Sequence, residues 1–158
     1  MNDRTHRYAY AAGLVDGDGC IVIKGGKARK GYFGLFVLVT LVEPLNNVGG
    51  IPPALQFLQD TFGGVIGKPS KAMTKHGIRR RPCRQWYVGW QTAELMLTAI
   101  LPYLIEKKEQ AEVALEYRRV AMGRGKRALA EAYYLKLRAL KNYNRRVGGS
   151  VPLLGEDK

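Results

Sequence analysis

Hydrophobic and polar positions follow strand-like spacing in two parts of the chain. A short apolar run is followed by a longer one across a basic connection in each part: residues 20–24 with 32–42, and residues 64–68 with 84–91. β-branched and aromatic residues are frequent in these runs and glycines separate them, which is typical of β-hairpins. The pattern therefore predicts four strands arranged as two hairpins.

Helical spacing accounts for most of the remaining sequence. Pro53 and Gly63 bound one apolar segment as helix termini prefer, and Leu129, Tyr133 and Leu137 recur on one face of the last segment. The predicted helices cover residues 4–15, 53–62, 93–101, 103–122 and 127–143. The order α-β-β-α-β-β-α-α-α indicates an α+β fold in one domain, residues 1–144, followed by an irregular tail, residues 145–158.

The net charge of +13 points to a polyanionic partner, with nucleic acid as the first candidate. No acidic residue occurs within residues 19–42 or 61–93, so the positive charge is concentrated on the predicted hairpins and their connections. The basic residues of these two segments are Lys24, Lys27, Arg29, Lys30, Lys68, Lys71, Lys75, Arg79, Arg80, Arg81 and Arg84.

Other function classes are disfavoured by composition. Cys20 and Cys83 lack metal-ligand spacing and the chain has only two histidines, so we expect no zinc site. We find no signal-peptide pattern and no apolar run of the roughly 18 residues that a membrane span needs. We therefore expect an intracellular protein in a reducing compartment, without a membrane partner.

Residues 11–19, Ala-Ala-Gly-Leu-Val-Asp-Gly-Asp-Gly, form the most specific motif. Ala9, Ala12 and Gly13 place small side chains on the preceding helix, which would let a second helix approach closely. Asp16 and Asp18 then lie at the helix end, beside a basic sheet. Carboxylates facing a polyanion suit a bound divalent cation, since Mg²⁺ takes one or two carboxylates together with phosphate oxygens.

The motif closely resembles the signature of the LAGLIDADG homing endonucleases, with Ala11 where that family usually has Leu. Residues 58–64 and 85–88 are similar to its second helix and fourth strand, and the likeness covers about the first 120 residues. The resemblance implies the αββαββα homing-endonuclease fold, here with an antiparallel DNA-binding sheet and extra C-terminal helices. It also implies Mg²⁺-dependent cleavage of both strands of a long pseudo-palindromic DNA site, leaving short 3′ overhangs, with Mn²⁺ or Ca²⁺ as alternative occupants in crystals.

Because the chain holds one copy of the motif, the resemblance implies a homodimer joined through Ala9, Ala12, Gly13 and Asp16. It assigns the metal to Asp18 and the Gly17 carbonyl. Lys107 corresponds to the family's active-site lysine, with Lys108 as the competing choice. Glu43 is the nearest candidate for the polar residue that holds the water network, with Asn46 and Asn47 behind it.

The resemblance also places the hairpins on DNA, where a sheet fits the major groove with alternate residues facing it. The candidates for reading bases are Lys24, Lys27, Arg29, Lys30, Lys68, Arg84, Gln85 and Tyr87. The candidates for contacting phosphates are Lys71, Lys75, Arg79, Arg80 and Arg81. Residues 35–39 are unusually apolar for such a surface, and those that face DNA would contact thymine methyl groups.

Several alternatives stay open at this point. Asp16 fits a structural brace as well as a ligand, and Lys107 and Lys108 fit solvated pairs with helical glutamates as well as a catalytic role. An intron RNA maturase, with intron RNA as partner, or a catalytically inactive nucleic-acid-binding protein of the same fold would have a similar sequence. A ribosomal-type RNA-binding protein would explain the charge but not the motif.

Overall fold

A computed structural model describes residues 3–25, 33–44, 49–70, 81–121 and 125–147, with side chains as far as residue 141. The helices are α1 (Asp3–Asp18), α2 (Pro53–Phe62), α3 (Trp90–Ile100), α4 (Lys108–Val120) and α5 (Arg127–Val147). The strands are β1 (Gly19–Gly25), β2 (Phe33–Val42), β3 (Val65–Ile66) and β4 (Cys83–Gly89). The predicted α+β element order is confirmed.

The four strands form one antiparallel sheet in the order β1-β2-β4-β3. Leu35 pairs with Ile23 and Val37 with Ile21, and all four side chains are buried on the same, inner face. Because successive strand residues point to opposite faces, the residues between them form an outer face. Strand alternation thus separates a core side from a side that no described helix covers fully.

The inner face packs on helices α1, α2 and α3. Trp86 of β4 is fully buried there, and its indole Nε1 donates to the Gly63 carbonyl oxygen at 2.9 Å, which ties β4 to the end of α2. Helix α3 contributes a row of fully buried apolar side chains, including Leu97 and Ile100. Burial of these large side chains is the main stabilising contribution to the fold.

Helix α5 packs on α4 and on β1. Tyr117 of α4 donates its hydroxyl to the Phe33 carbonyl at 2.5 Å, and Phe33 in turn contacts Tyr134 of α5 at a ring distance of 6.1 Å. Burial raises the pKa of Tyr117, although Arg118 opposes the shift, so the hydroxyl keeps its proton and stays a donor.

Several element boundaries differ from the sequence-based prediction. Helix α1 continues through Asp18, where the sequence predicts a turn after Val15, and Trp90 begins α3 instead of continuing the strand. The helix predicted to begin at residue 103 starts at Lys108, because a short 3-10 helix, Leu101–Tyr103, follows α3 around a proline. Helix α5 extends to Val147, so the first residues of the predicted tail are helical.

Within the described ranges, no helix is both long and apolar enough to cross a membrane.

Gly19 lies where α1 turns directly into β1, and it allows a close approach of two backbone segments. A Cβ atom at Gly19 would lie 2.5 Å from the Val15 carbonyl oxygen and 2.6 Å from the Val15 Cα. We therefore expect Gly19→Ala to lower the free energy of unfolding by about 1–3 kcal/mol, as overpacking does. Urea denaturation followed by circular dichroism measures the change.

Gly17→Ala is the matched control, since a Cβ atom at Gly17 would meet nothing within 4 Å. Gly17 is helical, so alanine there should leave the free energy of unfolding unchanged or raise it by up to about 1 kcal/mol. Equal losses of stability in the two variants would contradict the close approach of the backbone at Gly19 to Val15.

Candidate active site and nucleic-acid interface

The motif carboxylates occupy the C-terminal end of α1, immediately before β1. Gly17 and Asp18 are exposed, and none of the described residues donates a hydrogen bond to the Asp18 carboxylate. The unpaired carbonyl groups at a helix C-terminus carry partial negative charge, which favours a cation nearby. Asp18 therefore presents an exposed carboxylate where the backbone also attracts positive charge.

Asp16 makes contacts inside its own chain instead. Its Oδ2 accepts a hydrogen bond from the Ile105 backbone N–H at 2.8 Å, and its Oδ1 accepts one from the Lys107 N–H at 2.9 Å. The half-buried carboxylate thus joins the end of α1 to the segment that precedes α4. Of the two interpretations left open by the sequence, the structure favours the brace.

Lys107, the candidate active-site lysine, lies against the motif. Its Nζ donates to the Asp16 carbonyl oxygen, while the backbone N–H of the same residue binds the Asp16 carboxylate. Lys108, the competing choice, is the exposed first residue of α4. The structure therefore brings Lys107 to the end of α1 by two contacts with one residue.

A cavity of about 360 Å³ opens beside this contact. It is lined by Asp16, Gly19, Cys20, Glu106, Lys107, Gln110 and Lys141. The Gln110 side chain is buried, and its Oε1 accepts no hydrogen bond from any described residue. The Lys141 Nζ lies 3.2 Å from the Cys20 Sγ.

Gln110 and Lys141 are site residues that the sequence analysis missed. The apolar spacing of α5 predicted one face containing Leu129, Tyr133 and Leu137, of which Leu137 is buried while Leu129 is exposed. Lys141 lies about one helical turn beyond Leu137. Helical spacing identifies which side of α5 is buried but not which strand it packs on. Only the folded chain shows that Lys141 lies beside the motif strand.

The oxygen atoms exposed at the end of α1 suit a divalent cation that also binds a phosphate group. No group of three or more His, Cys, Asp or Glu side chains lies together in the described part of the chain, so one chain does not offer a closed metal site. The exposed Asp18 carboxylate and neighbouring helix-end carbonyl oxygens are hard ligands, which Mg²⁺ prefers, and Mg²⁺ commonly keeps water and phosphate as its other ligands. The donor set fits the predicted ion if further ligands come from elsewhere.

The small-residue face of α1 differs from its predicted composition. Ala9 and Gly13 are exposed as expected, but Ala12 is fully buried in the core and cannot contact a second chain. Gly17 replaces it, because residues 9, 13 and 17 are spaced four apart and share one side of the helix. Asp16 is also withdrawn from this face, since its carboxylate binds its own chain.

Glu43 does not occupy the water-holding position proposed for it. It is buried, its Oε1 accepts from the Arg84 Nε at 3.2 Å, and its Oε2 accepts from the Gly49 N–H at 3.0 Å. Both carboxylate oxygens therefore bind groups that anchor the end of β2. The catalytic assignment of Glu43 is corrected to a structural one.

Two arginines that the sequence predicts to contact DNA donate hydrogen bonds to backbone carbonyl oxygens of their own chain instead. Arg84 shares its strand face with buried Trp86 and Val88, and its guanidinium donates to the Gly49, Gly50 and Gly67 carbonyl oxygens. Arg81 donates to the Glu43 carbonyl oxygen at 2.7 Å. Strand alternation alone would have separated Arg84 from Gln85, because neighbours on a strand cannot both face the groove.

The other described candidates for DNA contact are accessible. Lys24 and Lys68 are exposed, and Gln85 and Tyr87 project from the outer face of β4. Gln85 donates to the Thr40 hydroxyl oxygen at 2.9 Å, across the strand pair. The remaining predicted contacts lie outside the described residues: Lys27, Arg29, Lys30, Lys71, Lys75, Arg79 and Arg80, together with Asn46 and Asn47.

The two motif acids should differ in what they do for stability. Asp16→Ala leaves the Ile105 and Lys107 N–H groups without their acceptor, and we expect a loss of about 1–3 kcal/mol in the free energy of unfolding. Asp18→Ala changes an exposed side chain and should stay within about 0.5 kcal/mol of the parent chain. Urea denaturation of both variants measures the difference, and a larger loss for Asp18→Ala would contradict the assignment.

Comparison with solved structures identifies the fold. The homing endonuclease I-CvuI, in complex with its target in the presence of Ca, matches with a TM-score of 0.67 and 20% sequence identity over 87% of this chain and 83% of that chain. The homing endonuclease I-TnaI matches with a TM-score of 0.53 and 14% identity over 89% of this chain and 97% of that one.

A further match relates this chain to a longer one. The I-SmaMI LAGLIDADG homing endonuclease bound to cleaved DNA matches with a TM-score of 0.54 and 14% identity, over 96% of this chain but 51% of that chain. No family model and no curated protein sequence matches the chain. The structural neighbours are LAGLIDADG homing endonucleases, and the chain has the LAGLIDADG homing endonuclease fold.

Proposed function

We propose that the protein is a metal-dependent endonuclease that cleaves both strands of a specific, long pseudo-palindromic DNA site and leaves short 3′ overhangs. The observation that carries this proposal is the motif site, where Lys107 is bound to the end of α1 and the Asp18 carboxylate is exposed, with no hydrogen-bond donor among the described residues. The fold supports it, since I-CvuI and I-SmaMI, which share the fold, were solved bound to DNA. A protein that acts on such a substrate would work inside the cell.

Asp18 is the proposed metal ligand, assisted by the Gly17 carbonyl. When bound, Mg²⁺ would neutralise charge on the phosphate and lower the pKa of the attacking water. The chain fixes where Asp18 lies. Asp18 is the last residue of α1, and two backbone N–H groups bind the carboxylate of Asp16, two residues earlier. I-CvuI complexes were solved in the presence of Ca and of Mg, which supports the choice of a divalent ion.

Lys107 is the proposed catalytic cation. Its ammonium lies at the Asp16 carbonyl, so a proton donor and a positive charge stand at the end of the helix that carries Asp18. There it can orient water and stabilise charge that develops on the scissile phosphate. Asp16 is a positioning residue in this scheme, since it binds the Lys107 backbone and not the substrate.

A homodimer would supply the second cutting site. One chain spans 98% of an I-CvuI chain but 51% of the I-SmaMI chain, so two copies correspond in length to the longer protein. The exposed face of Ala9, Gly13 and Gly17 has no side chain beyond Cβ, which permits close helix contact across a twofold axis. Two Asp18 carboxylates would then meet near that axis.

The catalytic assignment predicts a separation of binding from cleavage. Asp18→Asn keeps the size of the side chain but removes the charge that holds the ion, so Mg²⁺-dependent cleavage should fall by more than about 100-fold. DNA affinity should stay near that of the parent chain. Both are measured on sites selected from a randomised duplex library, by cleavage in Mg²⁺ and by binding in Ca²⁺.

Asp60→Asn is the matched control, since Asp60 is an exposed acid on α2 outside the motif. It should cleave like the parent chain. Unchanged cleavage by Asp18→Asn would remove the catalytic assignment. Binding to DNA with no cleavage by the parent chain would favour the inactive or maturase alternative, which a splicing assay on intron RNA then tests.

The dimer predicts a specific sensitivity at Gly13. A Cβ atom there meets nothing within 4 Å, so Gly13→Leu should fold normally. The added side chain would separate the paired helices. The dissociation constant of the dimer, measured by sedimentation equilibrium, should therefore rise by about 10-fold or more. Ala132→Leu, on an exposed side of α5, is the control and should sediment like the parent. A monomeric parent chain would refute the dimer directly.

A further inference from the structure

The outer face of the sheet is unusually apolar for a surface that would meet DNA. Strand pairing aligns Cys20 with Leu38, Leu38 with Tyr87, and Tyr87 with Val65. These residues form one row across all four strands, and Tyr87 and Val65 are 39% and 50% exposed. Cys20 and Leu38 are half-buried. The row offers apolar contact from Leu38 to Val65, and at its β1 end the Lys141 ammonium lies over Cys20.

A second row lies beside the first and is built around aromatic rings. Val22 pairs with Phe36, and Phe36 pairs with Gly89. A Cβ atom at Gly89 would lie 2.6 Å from the Phe36 ring. The absence of a side chain at Gly89 therefore allows the ring to lie on the outer face. Trp90 meets Phe36 edge to face at a centroid distance of 6.2 Å.

Trp90 is held in an unfavourable backbone conformation at the edge of this row. Its φ of 58° is rare for a bulky side chain, yet the indole is 45% exposed. A strained conformation persists only where the surrounding structure maintains it, and such positions are frequent at functional sites. The two rows, with Trp90 at their edge, are called the apolar track.

The row next to that of Leu38 and Tyr87 carries hydrogen-bonding side chains. Thr40 pairs with Gln85, and the two side chains are bonded to each other. Gln85 keeps its carbonyl oxygen and a second N–H available, which is the pair of groups that recognises adenine in the major groove. The outer face therefore changes from apolar to adenine-compatible within one row.

Cations border the apolar track. A groove of about 450 Å³ separates β1 from α5, and Lys24, Arg138 and Lys141 lie along it beside Cys20 and Val22. No acidic residue belongs to β1, β2, β3 or β4. Apolar contacts at the centre with positive charge at the border suit base edges in a groove between two phosphate backbones.

We propose that the apolar track contacts thymine methyl groups in the major groove, so that each half-site contains a run of A·T pairs read without direct hydrogen bonds. This inference rests on the proposed DNA-binding function and adds the base class to it. Thymine alone presents a methyl group in the major groove, and apolar side chains are its natural contacts. Val22, Phe36 and Leu38 are the specificity-determining residues.

Strand geometry fits this arrangement. Residues on one face of a strand are spaced by about 6.8 Å, twice the rise per residue. Base pairs are stacked about 3.4 Å apart along the duplex, so adjacent rows lie about two base pairs apart when a strand follows the groove. The two apolar rows and the Thr40–Gln85 row thus span about four base-pair steps.

The test replaces thymine by uracil, which removes the methyl group and keeps base pairing. Duplexes selected by the full chain from a randomised library are first sequenced, and we expect enrichment of A·T pairs in each half-site. The selected site is then remade with deoxyuridine in those runs. Each buried methyl group contributes about a fourfold change in affinity, so loss of three should weaken binding by about 60-fold.

Leu38→Gln assigns the effect to the track. This variant should lose most of its discrimination between thymine and uracil duplexes while it still binds both. Leu95→Gln is the matched control, because Leu95 is 65% exposed on α3, on the side of the sheet away from the track. It should discriminate like the parent chain.

The outcomes separate this inference from the function on which it rests. A chain that binds no duplex in the library refutes the proposed function itself. A chain that selects and binds a site, yet binds its thymine and uracil forms equally, refutes the methyl contacts alone. Discrimination that survives Leu38→Gln refutes the assignment to the track, as does a loss of self-association in that variant, which would show a second copy on this face.

Discussion

The arrangement of the site depends on the Asp16 carboxylate and the two backbone N–H groups that it binds. These bonds connect the end of α1 to a segment about 90 residues later, and they fix Lys107 beside the motif. A half-buried charge is stable there because both oxygens receive hydrogen bonds, which offsets the loss of water. Asp18, two residues on, is exposed, and none of the residues that the structure describes donates a hydrogen bond to its carboxylate. Asp16 therefore stabilises the arrangement of the site, and the Asp18 carboxylate is accessible to a ligand.

Strand alternation is the second constraint, and the motif sets it. The chain passes from helix to strand at Gly19, so the position of Ile21 and Ile23 in the core determines that Cys20 and Val22 face outward. A shift of one residue would exchange the two faces. The same short segment thus fixes where Asp18, the proposed metal ligand, stands and which side chains the outer face of the sheet presents.

Much of the fold could be predicted from sequence, because helical and strand spacing are local properties. The element order agrees with the prediction. The resemblance of motifs singled out Lys107, and the structure places it at the end of α1. Errors arose where tertiary partners decide the outcome. Ala12 looked like an interface residue because its size does not reveal which side of α1 the core covers. Glu43 and Arg84 looked available because their pairing joins distant segments. Lys141 was missed for the same reason.

Helix α5 has a consequence for the edge of the sheet at which β1 lies. Strand β1 is an edge of the sheet, and an uncovered edge exposes backbone groups that can pair with another molecule. Helix α5 packs on this strand, with Lys141 over Cys20. Helix α5 therefore covers part of the strand that follows the motif, and without this helix that apolar edge would be open to fibril-like stacking of strands.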